Sequence, residues 1–162
     1  MGDTWSLFVY GTLKRGLRYH AAFCSGMLAA TKATAYGELY DTPHGYPMMT
    51  LPARLQWIQG CADRNHDMAL NPSIRQPGLM PPHADQAVHG EVLTFPRCAG
   101  ILQALDDLED FHPQQTSMYH RVMAPVWREG ATSYSIVWLY LVAPSLIQPN
   151  WPRMRDWPGV PF

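Results

Sequence analysis

Ten residues near the start, Leu7-Phe8-Val9-Tyr10-Gly11-Thr12-Leu13-Lys14-Arg15-Gly16, constrain this chain more than any other stretch. Leu7 to Tyr10 are uncharged, strongly β-forming residues and read as a buried strand. The strand stops abruptly. Gly11 opens backbone angles closed to other residues, and Thr12 can bond back to the local chain. A buried strand that ends in a glycine turn leaves backbone N–H groups pointing away from the strand end. Those groups are donors for a carboxylate or an oxyanion. The alternative is a tight strand-to-helix connection that holds no ligand.

The chain has 162 residues, 47% of them apolar and 15% charged, which fits one globular domain. A net charge of −1 argues against a nucleic-acid surface. No apolar run is long enough to cross a membrane as a helix. Cys24, Cys61 and Cys98 form no C-x-x-C pair, so a reducing compartment, the cytoplasm, is expected. The histidines show no metal-ligand spacing, and neither a G-x-S-x-G elbow nor a phosphate-binding glycine loop is present. No metal and no cofactor are expected.

Further along, residues 17–24 read as a short helix and 31–40 as a strand. Gly37 marks a bulge or a close backbone approach in that strand. Residues 41–47 form a turn. Residues 51–86, with five prolines and little periodicity, read as an irregular insertion outside the core, a cover or a partner surface. Residues 87–95 resume as a strand, Pro96 suits the first position of a helix over 96–110, and 119–127 with 133–142 make a hairpin. Residues 144–162 read as an irregular Pro/Trp-rich tail.

The helix ends in Leu105-Asp106-Asp107-Leu108-Glu109-Asp110, four carboxylates in six residues. A solvated helix end is the ordinary explanation. At about 100° per residue, however, Glu109 falls inside the apolar arc of Ile101, Leu102, Leu105 and Leu108. Cys98 shares that arc as a small core residue. Asp106 falls at the edge of the arc, and Asp107 and Asp110 point away. A single carboxylate is thus expected to face inward. Burial raises its pKa, which suits a general acid/base.

Four blocks resemble the gamma-glutamylcyclotransferase-like family, which includes AIG2-like and BtrG-like proteins. They are Val9-Tyr10-Gly11-Thr12-Leu13-Lys14-Arg15-Gly16; Gly37-Glu38-Leu39-Tyr40-Asp41 with Gly45-Tyr46-Pro47; His89-Gly90-Glu91-Val92; and Leu105-Asp106 to Glu109 with Tyr119-x-Arg121. Two features depart from the family pattern. Asp110 stands where the family usually has Gly, and the link at 51–86 is long. The resemblance implies an α+β fold, a small curved mixed sheet or barrel with two main helices, over a single domain at 1–162. It implies that Glu109 is the catalytic acid/base, that Tyr10, Gly11, Thr12 and Leu13 hold the substrate, and that Tyr119 lines the pocket. The reaction it implies is closure of a small-molecule gamma-glutamyl amide to 5-oxoproline. The alternatives are hydrolysis of a related amide, or a binding protein whose pocket is covered by 51–86. Arg121 is expected to pair with a helix carboxylate and not to touch substrate. Oligomeric state is not specified by the sequence.

Overall fold

The computed structural model describes residues 3–113 and 117–158. In chain order its elements are β1 (Thr4–Val9), α1 (His20–Phe23), β2 (Ala29–Tyr36), β3 (Glu38–Asp41), β4 (Pro47–Thr50), β5 (Ile58–Gln59), α2 (Arg64–Ala69), β6 (Ala87–Pro96), α3 (Ala99–Leu108), β7 (Tyr119–Arg128), β8 (Ser135–Val142) and β9 (Arg153–Met154). Strands run in the order β2-β6-β1-β8-β7, and pairing of β2 with β7 closes them into a five-stranded barrel. β5 adds to the outer edge of β7, while β3, β4 and β9 form a separate three-stranded sheet. Only the β1–β8 pair is parallel among these ladders, so the sheet is mixed, as expected.

Alternation along the strands builds two cores. Phe8, Ala33, Val92, Val122 and Leu139, one from each barrel strand, meet inside the barrel. Leu7, Val9, Phe95 and Trp138 point the other way and pack against Leu102 and Leu105 of α3. The helix therefore lies on the outside of the barrel.

The expected strand at 31–40 divides at Gly37, whose φ is +137°. A Cβ there would sit 2.5 Å from the Thr50 carbonyl oxygen. This is the anticipated close approach, and it lets the chain leave the barrel for the second sheet. The 119–142 hairpin forms in register from Tyr119 opposite Val142 to Val126 opposite Ser135.

Four expectations need correction. The 17–24 helix shrinks to the single turn of α1. Pro96 ends β6 and does not open α3, which starts at Ala99. Cys98 is exposed at the helix cap and is not a core residue. The largest correction concerns 51–86. Leu55, Asp67 and Met68 are buried there, and β5 and α2 arise from it, so this segment belongs to the body of the fold. The tail carries β9, paired with β3, and its last residues, 159–162, lie outside the described ones. No described helix is long and apolar enough to cross a membrane.

Candidate active site

β1 ends at Val9, and the chain turns where α3 ends. The turn is held from beneath. The Lys14 N–H donates to the Gly11 carbonyl at 3.0 Å and the Tyr19 N–H to the Thr12 carbonyl at 2.8 Å. Glu91 of β6 accepts both the Arg15 N–H at 2.7 Å and the Arg15 Nε at 2.9 Å. Carbonyls of the turn are thus engaged. Among the described residues, the N–H groups of Gly11, Thr12 and Leu13 donate to no backbone carbonyl. Gly11, Thr12 and Leu13 line a cleft of about 230 Å³.

All six residues singled out in the sequence meet in this cleft: Tyr10, Gly11, Thr12, Leu13, Glu109 and Tyr119. The sequence reading missed Tyr19, Tyr46, Pro47 and Tyr140 in its walls. Tyr46 and Pro47 lay within a recognised block, so a signal for them existed. Tyr140 carried none. No residue of 51–86 lines the cleft. The expected cover over the pocket is therefore not supplied by lining residues from this segment.

Glu109 caps the C-terminal end of α3, its N–H still bonded to the Leu105 carbonyl at 3.0 Å. Burial pushes its carboxyl up to about 7 from an ordinary 4.5, and among the described residues no partner offsets that cost. Burial likewise raises the phenols of Tyr10 and Tyr119, and the Glu109 charge adds to both. They stay neutral and act as donors. The Tyr10 hydroxyl donates to the Tyr140 carbonyl at 2.6 Å, and the Tyr119 hydroxyl is 3.4 Å from the Pro47 carbonyl. Both therefore tie the cleft walls together.

The helix then stops at Asp110, whose φ is +50°. This left-handed conformation after a helix is the usual place for Gly, and Asp is among the few other residues that tolerate it. Asp110 takes this conformation in place of the glycine of the family pattern.

Gly11 is needed for a reason other than the one expected. It is not among the positive-φ glycines. Instead, a Cβ would lie 2.8 Å from Cγ and 2.9 Å from Cδ of Pro47. The glycine lets the turn sit against the opposite wall.

Asp106 lies deeper than its place at the edge of the apolar arc implies. It is fully buried and is not an edge residue. Arg121 Nε lies 2.9 Å from its Oδ1 and Arg64 Nε 2.8 Å from its Oδ2, while the Tyr140 hydroxyl donates to Oδ1 at 2.6 Å. Arg121 also binds Asp67 Oδ2 at 2.7 Å, and its guanidinium lies 4.9 Å from the Trp138 ring centre. Two arginines and two aspartates thus form a largely buried chain of ion pairs that, with the Tyr140 hydroxyl, ties α3 to β7, β8 and α2. The expectation that Arg121 pairs with a helix carboxylate is met.

A family model described as "Gamma-glutamyl cyclotransferase, AIG2-like" matches residues 7–74 and 64–158. Over 57 residues, 33% of this chain, the sequence is 39% identical to a gamma-L-glutamyl-butirosin B gamma-glutamyl cyclotransferase from Niallia circulans; the match spans 36% of that protein. An AIG2-like protein from Mus musculus shares the fold with a TM-score of 0.53, at 22% identity, over 94% of this chain and 87% of its own. An Arabidopsis thaliana protein solved in solution aligns with a TM-score of 0.54, at 17% identity, over 92% of this chain and 74% of its own. At these identities the two structures speak to the fold alone.

Proposed function

Because the chain belongs to the gamma-glutamyl cyclotransferase, AIG2-like family, we propose that it releases 5-oxoproline and a free amine from a gamma-glutamyl amide by intramolecular aminolysis. The observation that carries this reading is Glu109: a half-buried carboxyl raised by desolvation to about 7, lining the same cleft as Gly11, Thr12 and Leu13. A base with a pKa near the working pH takes and returns a proton efficiently.

In the proposed reaction, Glu109 accepts a proton from the substrate α-ammonium. The freed nitrogen forms a bond to the γ-carbonyl carbon and closes a five-membered ring. Negative charge collects on the carbonyl oxygen, where the turn N–H groups stabilise it. Glu109 then gives its proton to the leaving nitrogen, the original C–N bond breaks, the amine departs, and the ring nitrogen sheds its extra proton to water to leave neutral 5-oxoproline. The nucleophile arrives within the substrate, so ring closure is already unimolecular. The neutral phenols of Tyr10 and Tyr119 keep the cleft walls at a fixed separation.

The test is incubation of purified protein with a panel of gamma-glutamyl amines and peptides, with 5-oxoproline and the free amine both quantified. Equal amounts of the two products support the cyclase. Free glutamate in place of 5-oxoproline supports hydrolysis instead.

Gly11→Ala offers a second check. The added methyl forces the turn away from Pro47, and misplacement of catalytic groups by about 1 Å costs on the order of 10²-fold in rate. kcat/KM for 5-oxoproline release should fall by roughly that factor while circular dichroism stays unchanged. Unaltered kinetics would show that the turn does not hold the substrate.

A further inference from the structure

A second cleft, of about 430 Å³, opens at the other end of β1 and β8. Thr4, Trp5 and Ser6 line it, together with Ser135 through Trp138, whereas the catalytic cleft takes residues from Phe8 onward and Tyr140. Two arginines, Arg75 and Arg128, reach it, and among the described residues no Asp or Glu lines it.

The guanidinium of Arg128 is steadied by neutral groups alone: Nη1 donates to the Ser135 hydroxyl at 3.0 Å and Nη2 lies 3.5 Å from the Ser6 hydroxyl. Arg75 is exposed, and its Nη1 donates to the Ile74 carbonyl at 2.9 Å. The Gln76 N–H donates to the Tyr134 hydroxyl at 2.9 Å, and the Arg75 guanidinium lies 5.7 Å from the Tyr134 ring centre. Among the described residues, neither arginine forms an ion pair with a carboxylate. Elsewhere in this protein, Arg15, Arg64, Arg121 and Arg153 each have one. A polar cleft with two uncompensated guanidinium groups and two serine hydroxyls is complementary to a compact, multiply charged oxyanion. Planar guanidinium forks suit a phosphoryl group through paired hydrogen bonds.

We propose that this cleft is a binding site for a small phosphorylated ligand, held between Arg75 and Arg128 with Ser6 and Ser135 as hydroxyl partners. The site is separate from Glu109 and does not depend on the chemistry proposed there.

The test is calorimetric titration of the full chain with inorganic phosphate and glycerol phosphate, in parallel with succinate, at constant ionic strength so that general screening is held fixed. Saturable binding of the phosphates is expected. Arg75→Gln, on an exposed side chain that leaves the fold intact, and Arg128→Gln should each weaken it by about tenfold or more, as expected for loss of a charge-assisted hydrogen bond. Glu109→Gln should leave it unchanged. Absence of saturable phosphate binding overturns the proposal, as does binding that is indifferent to Arg75→Gln. Binding lost in Glu109→Gln places the anion in the catalytic cleft and also overturns it. Succinate binding in preference to phosphate overturns the assignment to a phosphoryl group.

Discussion

Glu109→Gln lowers 5-oxoproline release by roughly 10²–10⁴-fold, the contribution of a positioned general acid/base, while substrate still binds. Gln keeps the shape of the side chain and removes its capacity to take a proton. The turn donors at Gly11, Thr12 and Leu13 are untouched, so KM changes little. The same variant has a signature in stability. In the wild type, the Glu109 carboxyl is raised to about 7 from an ordinary 4.5. Between these two values the folded protein keeps a proton that the unfolded chain would release, so stability falls as pH rises. Above about 7 the full cost of the buried charge is present. Gln has no such dependence. At pH 8 the variant is therefore as stable as the wild type or more so, and near pH 5 any gain is smaller. Thermal unfolding at the two pH values reads this directly. A variant that turns over normally would place the acid/base elsewhere.

Arg121→Met unfolds the protein at a markedly lower temperature. Arg121 is fully buried and bridges Asp106 and Asp67, both buried as well. Removing one partner of a buried ion pair strands the others and costs about 3–5 kcal/mol. A domain of this size is stable by only about 5–15 kcal/mol. The midpoint should drop by roughly 10 °C, taking about 2–4 °C per kcal/mol at this length. Asp106→Asn acts on the same network and should behave similarly, unlike Asp107→Asn on the exposed side of α3. The same reasoning applies to residues 52–86. A flexible linker in their place removes Asp67, Leu55 and Met68 from the core, and the product should not fold. A differential scan with no shift for Arg121→Met would show that Arg64 alone satisfies Asp106.

The strands were legible because each carries its own local pattern. β1, β6 and the β7–β8 hairpin combine β-forming residues with clear turn signals at their ends. Glu109 was legible because Ile101, Leu102, Leu105 and Leu108 define one apolar side of a helix, and the position falls on that side. The same wheel misplaced Asp106. Its partners, Arg64 and Arg121, come from distant parts of the chain, and an apolar arc is blind to a charge buried by pairing. Residues 51–86 escaped for a related reason. Their anchorage rests on three apolar side chains, Leu51, Leu55 and Met68, and on the ion pair of Asp67, none of which produces a period. Glu91 was noted within a recognised block, but its grip on Arg15 depends on β6 lying beside β1, a long-range pairing invisible in either strand alone. For Gly11, the residue was read as necessary and the reason was not. The steric limit is set by Pro47, brought close by the second sheet.

The pH dependence of kcat/KM for 5-oxoproline release between pH 5 and 9 tests the central claim most directly. If Glu109 accepts the proton in the free enzyme, the rate rises with pH by about tenfold per unit on the acid side and levels off around the raised value of about 7. A profile flat between pH 5 and 7, or one whose acid limb falls near the ordinary carboxylate value of 4.5, would contradict it.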